Sequence, residues 1–203
     1  MQSQINVILE VTVAHISILG SGNMGQAIAG LAAKGGNSVE LLNSSDAGKA
    51  VTGDVVVLAV PYPSVATVLA ERGDQLAGKV VVDITNPVDF ATFDGLTVPA
   101  DSSATAEIAA SLPDSRVVKA FNTTFAATLV AGTVGGQPTT VLLAGDDADA
   151  KALLTGLVSA AGLRAIDAGG LKRARELEAI GFLQITLAAA EKVAWTGGFA
   201  VVQ

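Results

Sequence analysis

The sequence predicts an α/β protein built on a doubly wound, mostly parallel sheet with a small C-terminal helical extension. Three observations carry that prediction. Short β-branched segments alternate with longer Ala/Leu segments along the chain, which is the pattern of βαβ units. The first buried strand runs straight into Gly20-Ser21-Gly22-Asn23-Met24-Gly25, a glycine loop that opens a helix, so the expected fold is Rossmann-type. The 203 residues, half of them hydrophobic and 15% charged, are enough for one sizeable core.

The elements follow in order. His15–Leu19 reads as the first strand, Met24–Ala33 as a helix and Val39–Asn43 as the second strand. Asp54–Val60 is the next strand, ended by Pro61 and Pro63, after which Ser64 is placed to cap a helix running to Leu76. Lys79–Thr85 is a strand, and Asn86–Asp101, rich in Pro, Asp, Thr and Gly, is a long loop of the kind that often carries function. A helix over Ala104–Ser111 leads to the strand Arg116–Phe121. Thr139–Ala144, Asp149–Ala161 and Leu163–Asp167 then read as strand, helix and strand, and Leu171–Trp195 as one long helix. The organisation expected is an N-terminal extension over 1–14, a dinucleotide-binding domain over 15–135, and a small α/β region over 136–203 packed on it.

Composition narrows the function. The formal charge is −7 and the twelve Lys and Arg are scattered, so nucleic acid is not an expected partner. The chain lacks a run of roughly 18 uncharged apolar residues, so no membrane span is expected. The segment Met1–Ala14 has no basic start and carries Glu10, which reads as an extension rather than a secretory signal, and a cytoplasmic protein is expected. There are no cysteines, which removes disulfides, thiolate nucleophiles and Cys-based metal sites. His15, the one histidine, starts the first strand well ahead of the glycine loop and reads as structural. No triad, no metal site and no catalytic acid–base pair is expected.

A bare G-x-G-x-x-G is a weak signal, but here its context is specific. Gly20 makes the tight turn, Gly22 lets the backbone approach a pyrophosphate, and Gly25 lets helix and strand pack closely. Asn23 and Met24 start the helix, where free N–H groups and the positive dipole end can hold phosphate oxygens. Cofactor choice is set after the second strand, where the sequence offers Asn43, Ser44 and Ser45. These small donors lean toward NADP, with Lys49 a phosphate partner. NAD stays open, because no arginine follows the strand and Glu40 is a minor candidate for the ribose contact. The pocket is expected at the strand ends Val60-Pro61-Tyr62, Thr85-Asn86-Pro87 and Phe121-Asn122-Thr123-Thr124. There Asn122 and Thr123 can hydrogen-bond a ring or carboxamide. Lys172, Arg173 and Arg175 open the last helix, against its dipole, which points to an anionic ligand or to a solvated face.

The chain resembles the reductases that exchange hydride between NADPH and the deazaflavin coenzyme F420. The resemblance runs from about Ile16 to Val201. It rests on ILGSGNMG (Ile18–Gly25), VLAVP ending at Pro61, VVKAFNTTFA (Val117–Ala126), IDAGGLKRARELE (Ile166–Glu178) and TGGFA (Thr196–Ala200). It implies NADP on Ser21, Gly22, Asn23, Met24, Asn43 and Ser44. It also implies that Asn122, Thr123 and Thr124, with Ala126 nearby, face the nicotinamide and the deazaflavin, and that Gly197 and Gly198 complete the second cofactor's cleft. The chain departs from the family in having Asn43-Ser44 where a serine–arginine pair is usual, and only Ser45–Gly53 between the second and third strands. The same fold is similar to the NADPH-binding domain of membrane ferric reductases, where a flavin is reduced, and the GSGNMGQAIAG start is similar to pyrroline-5-carboxylate reductase. The expected function is therefore a homodimeric NADP(H)-dependent oxidoreductase acting on a deazaflavin or flavin. The alternatives are a dinucleotide-binding sensor or scaffold that catalyses nothing, and an imine or carbonyl reductase.

Overall fold

The computed structural model describes residues 13–202. The expected extension over 1–14 lies outside the described residues except for its last two. The chain forms β1 (His15–Leu19), α1 (Asn23–Lys34), β2 (Ser38–Leu42), β3 (Val55–Leu58), α2 (Tyr62–Arg72), β4 (Val80–Asp83), α3 (Ala104–Ser111) and β5 (Arg116–Lys119). It continues with α4 (Ala126–Ala131), β6 (Thr133–Val134), β7 (Gln137–Pro138), β8 (Thr140–Gly145), α5 (Ala148–Ala160), β9 (Arg164–Gly169) and α6 (Ala174–Ala189).

Seven strands make one sheet in the order β2-β1-β3-β4-β5-β8-β9. The first five run parallel, β8 joins β5 antiparallel, and β9 runs parallel to β8. The chain is thus Rossmann-like and mostly parallel, as its alternating pattern predicts. The order reverses between β1 and β3, which opens the crevice at their C-terminal ends where such folds bind ligands.

Strand periodicity sorts the core into two layers. Val55, Val57, Val80, Val82 and Val118 pack with Ile28 of α1 and Leu154 of α5 on one face. Val56, Leu58, Val81 and Val117 pack with Val65 of α2 and Ile108 of α3 on the other. Continuous Val runs are what a sheet buried on both faces requires. Alternation carries two charges into the second layer: Asp83 and Lys119 stand at paired register positions there, and both are fully buried.

Three expectations are corrected, and two features were missed. Helix α2 begins at Tyr62, not at Ser64, with Pro61 as the flanking residue and Pro63 in the first turn, where a missing N–H costs nothing. It ends at Arg72, and Gly73–Gln75 form a separate 3-10 turn. The last helix ends at Ala189, not Trp195; the chain reverses near Glu191, whose φ is 57°, and Arg164 donates to the Val201 carbonyl at 3.1 Å. Helix α4 and the β6–β7 hairpin were not anticipated. The hairpin is legible in retrospect, because Gly135-Gly136, both at positive φ, is a two-residue turn signal.

Between β2 and β3 there is no α-helix, only a 3-10 turn at Ser44–Asp46 and an extended link. Side chains replace the helix. Glu40 accepts from the Thr52 N–H at 3.0 Å and from the Thr52 and Ser17 hydroxyls, and Ser17 Oγ accepts from the Gly53 N–H at 2.8 Å.

Candidate dinucleotide site

The glycine loop is locked by close packing. Gly20 has φ 121°, and a Cβ there would collide with the Ala59 carbonyl; a Cβ on Gly25 would collide with the Gly20 carbonyl. Around Gly22, by contrast, nothing stands within 4 Å of where a Cβ would be, so the loop's outer side is open. Gln26 Nε2 donates to the Ser21 carbonyl at 2.9 Å and steadies the turn. Helices α3 and α5 have side-chain caps from Ser103 and Asp147, whereas α1 has no capping side chain and no acid in its first turn. Its exposed N–H groups and dipole are therefore left for an anion. A pyrophosphate fits that cradle.

A cavity opens on each side of the loop. One, of 420 Å³, is lined by Asn23, Met24 and Ile84, by Asn86 and Phe90 from the segment after β4, by Phe121, Asn122, Thr124 and Phe125 after β5, and by Ile185 and Trp195. The other, of 410 Å³, is lined by Gly20, Asn43, Ser44, Val60, Pro61, Thr67, Glu71 and Arg72 among others. A dinucleotide lying over the Gly20 turn would reach both.

Most of the expected site residues fall on these cavities. Asn23, Met24, Asn86, Asn122 and Thr124 meet in the first; Gly20, Asn43, Ser44, Val60 and Pro61 meet in the second. Ser21, Gly22 and Gly25 lie on the loop between them. Ser45, Tyr62 and Thr123 line neither. Ser45 bonds back to Asn43 Oδ1 through N–H and hydroxyl at 2.8 and 2.6 Å, Thr123 is buried, and Tyr62 donates to Glu107 outside the crevice. Burial and Glu107 push the Tyr62 phenol well above its ordinary value.

Glu40 is bound to Ser17 and Thr52 and lines neither cavity. Lys49 is paired with Asp46 at 2.7 Å. Lys172, Arg173 and Arg175 line a separate depression of 520 Å³ whose walls also carry Asp101, Asp146 and Glu176, and Arg173 pairs with Glu176 at 3.2 Å. The cluster is balanced by acids and shares no lining residue with either cavity. Gly197 and Gly198 belong to the returning tail; Gln184 of α6 holds it through the Phe199 N–H at 3.1 Å, and Trp195 rests on Phe125 with ring centres 4.9 Å apart.

The sequence reading missed the groups behind the first cavity. Lys119 Nζ donates to Asp83 at 2.9 Å, to Glu178 at 3.0 Å and to the Thr85 carbonyl at 2.5 Å, so all three of its protons are used. Glu178 also accepts from the Ala104 and Thr105 N–H groups at 3.0 and 3.2 Å, covering the start of α3. Asp83 accepts from Thr105 Oγ1 at 2.7 Å and from the Thr85 N–H at 2.8 Å. This knot fixes Thr85. The adjacent Asn86 exchanges two 2.9 Å hydrogen bonds with Asn122, and Asn122 Nδ2 also donates to the Leu177 carbonyl of α6 at 2.8 Å. Asn122 Oδ1 is buried with no hydrogen-bond partner among the described residues. A charge closing a short valine strand, Asp83 in VVVD and Lys119 in RVVK, was the available signal.

The family described as NADP oxidoreductase, coenzyme F420-dependent, matches residues 42–87. The F420-dependent NADP reductase of Methanocaldococcus jannaschii is 34% identical over 160 residues, covering 77% of this chain and 70% of that protein. This chain belongs to the F420-dependent NADP reductase family. A solved structure from Arthrobacter sp. FB24, assigned to the same family, superposes with a TM-score of 0.80 at 28% identity, covering 94% of this chain and all of that one. Metalloreductase STEAP3 of Rattus norvegicus is 36% identical over 133 residues, 65% of this chain but only 26% of that protein. The chain is thus a member of an oxidoreductase family, and among its described residues no helix is long and apolar enough to cross a membrane.

Proposed function

We propose that this reductase passes hydride between NADP(H) and a deazaflavin of the F420 type or a flavin. The observation that carries the reading is the make-up of the 420 Å³ cavity: aromatic rings, amides and a hydroxyl, with no titratable side chain among the described residues that line it. NADPH supplies a hydride, and a conjugated ring acceptor takes it with its own chemistry. The protein's part is positional. The loop Ser21–Asn23 and the start of α1 would take the pyrophosphate, and Asn43 and Ser44 the adenosine ribose. Asn86, Asn122 and Thr124 offer polar groups for the nicotinamide carboxamide, and the unpartnered Asn122 Oδ1 suits an amide donor. Phe90, Phe125 and Trp195 would flank the acceptor ring and keep water from it. Imine or carbonyl reduction would ask the cavity for a proton donor, which its lining lacks.

The outward side of α6 carries Ile180 and Leu183, exposed by 37% and 51%, which supports a homodimer; light scattering that returns a monomer removes it. A cytoplasmic setting agrees with NADPH as reductant.

The decisive assay follows nicotinamide absorbance during NADPH oxidation with F420, FMN or FAD. Turnover with one of them is expected, and Trp195→Ala should raise the KM of that acceptor while leaving NADPH affinity unchanged. Tight NADPH binding without turnover by any of the three would replace this reading with that of a non-catalytic dinucleotide sensor.

A further inference from the structure

Arg72 stands in the last turn of α2, only 6% exposed, and lines the adenosine-side cavity with Asn43 and Ser44. Its Nη1 donates to the Lys49 carbonyl at 2.7 Å and its Nη2 to the Asp46 carbonyl at 2.5 Å. Both acceptors are neutral. Among the described residues no carboxylate lies within ion-pair distance of this guanidinium; the Asp46 carboxylate, taken by Lys49 and by the Asn43 N–H at 3.0 Å, feels its charge only at longer range. A buried cation held only by carbonyls is expensive unless a ligand completes it. The clamp also leaves N–H groups of the planar fork for a further acceptor, which a phosphate matches.

We infer that Arg72 is the residue by which this chain selects NADP over NAD, its clamped guanidinium supplying the positive charge for a 2′-phosphate that Asn43 and Ser44 hydrogen-bond. The inference rests on the reading that NADP is the dinucleotide bound over the Gly20 turn. The geometry explains why the cation comes from α2. The β2–β3 link is short and carries no α-helix, so the end of α2 lies against residues 46–49 and places its arginine beside the exit of β2. The arginine absent after β2 in the sequence is thereby supplied from another element. Glu71 rims the same cavity but is exposed, so solvent screens its repulsion of a phosphate.

The test is calorimetric binding of two fragments, 2′,5′-ADP and 5′-AMP, to the wild-type protein and to Arg72→Gln. The glutamine retains an amide for the loop carbonyls and removes the charge. Wild type should prefer 2′,5′-ADP; Arg72→Gln should lose about tenfold or more of that affinity while 5′-AMP binding changes by less than about twofold. A wild-type protein that binds both fragments equally overturns the NADP reading and this assignment with it. A wild-type preference that persists in Arg72→Gln overturns the assignment alone. So does a parallel loss of both fragments, which would make Arg72 only a clamp for the loop. If Arg72→Gln does not fold, Arg72→Lys carries the test: it keeps the charge and should keep most of the preference, and a preference abolished with the charge retained overturns the assignment.

Discussion

The two edges of the parallel sheet each hold an acidic cluster that ties down irregular backbone, and the two clusters differ in their access to water. At the C-terminal edge, Asp83, Lys119 and Glu178 are sealed, all at 0% exposure, next to Ile84 and Asn86 of the cavity proposed for hydride transfer. At the N-terminal edge, Glu40 serves Ser17 and Thr52 with His15 Nε2 3.9 Å away, and its side chain is 28% exposed. Both clusters stand in for missing regular structure, one for the turn after β4 and the start of α3, the other for the β2–β3 link. The difference shows how the fold keeps charge close to its cleft without putting charge into it. The knot's charges are met by one another, by backbone groups and by the Thr105 hydroxyl, and the cavity beside them is lined by aromatic and aliphatic side chains, amides and a hydroxyl, with no titratable group among the described residues.

Breaking the sealed cluster should have the largest effect. Lys119→Met leaves two carboxylates facing each other in a dry seam, and removing one partner of a buried ionic set costs about 3–5 kcal/mol. Urea unfolding would measure it, and a loss below about 1 kcal/mol, the range of exposed pairs, would show that water reaches the seam. A smaller effect of the opposite logic is expected at Gly181 in α6. A Cβ there would collide with Asn86 Oδ1 and come within 2.9 Å of the Asn122 carbonyl oxygen. Intrinsic helix preference favours alanine over glycine by about 1 kcal/mol, whereas overpacking a tight contact costs about 1–3 kcal/mol. Gly181→Ala should therefore be net destabilising and should lower turnover by displacing Asn86. A more stable Gly181→Ala protein would mean that α6 does not bear on the cleft in this way.

The alternation of strands and helices was legible because it rests on local pattern. β1, α3 and the β1-turn-α1 unit stand where periodicity and glycine chemistry put them. Residues within a few positions of a strand end, such as Asn43, Asn86 and Asn122, were legible for the same reason. What escaped depends on contacts between residues far apart in sequence. Lys119 meets Glu178 across 59 positions, and Arg72 meets Lys49 across 23. Neither partner carries a local signal beyond being a charge where burial is expected. Glu40 illustrates the converse: its spacing from the glycine loop matched a ribose ligand, but the pleat of β2 and the short link turned it toward Ser17 and Thr52. The end of α6 escaped because the Ala-rich stretch before Glu191 has no breaker; the tail's bonds to Gln184 and Arg164 decide where the chain turns.

The exposed cluster offers the smallest effect and the sharpest contrast with the knot. Burial pushes the Glu40 carboxyl up, but hydrogen bonds from Ser17 and Thr52 and the charge of His15 outweigh it and hold the group below its ordinary value of 4.5. A carboxyl whose folded value is depressed releases its proton more readily in the native state, so its stabilisation is fully present above the unfolded value. It is lost as pH falls below about 4.5 and through the lower folded value. With water at hand the contribution should stay under about 1 kcal/mol. Comparing urea unfolding of wild type and Glu40→Gln isolates it from Asp46, Asp89 and Asp167, whose carboxyls are also held below their ordinary value. Glu40→Gln should cost little at neutral pH, and the gap to wild type should close on acidification. A gap that is instead several kcal/mol at neutral pH, or that persists unchanged at low pH, would mean that the N-terminal edge is as dry as the seam behind the cleft.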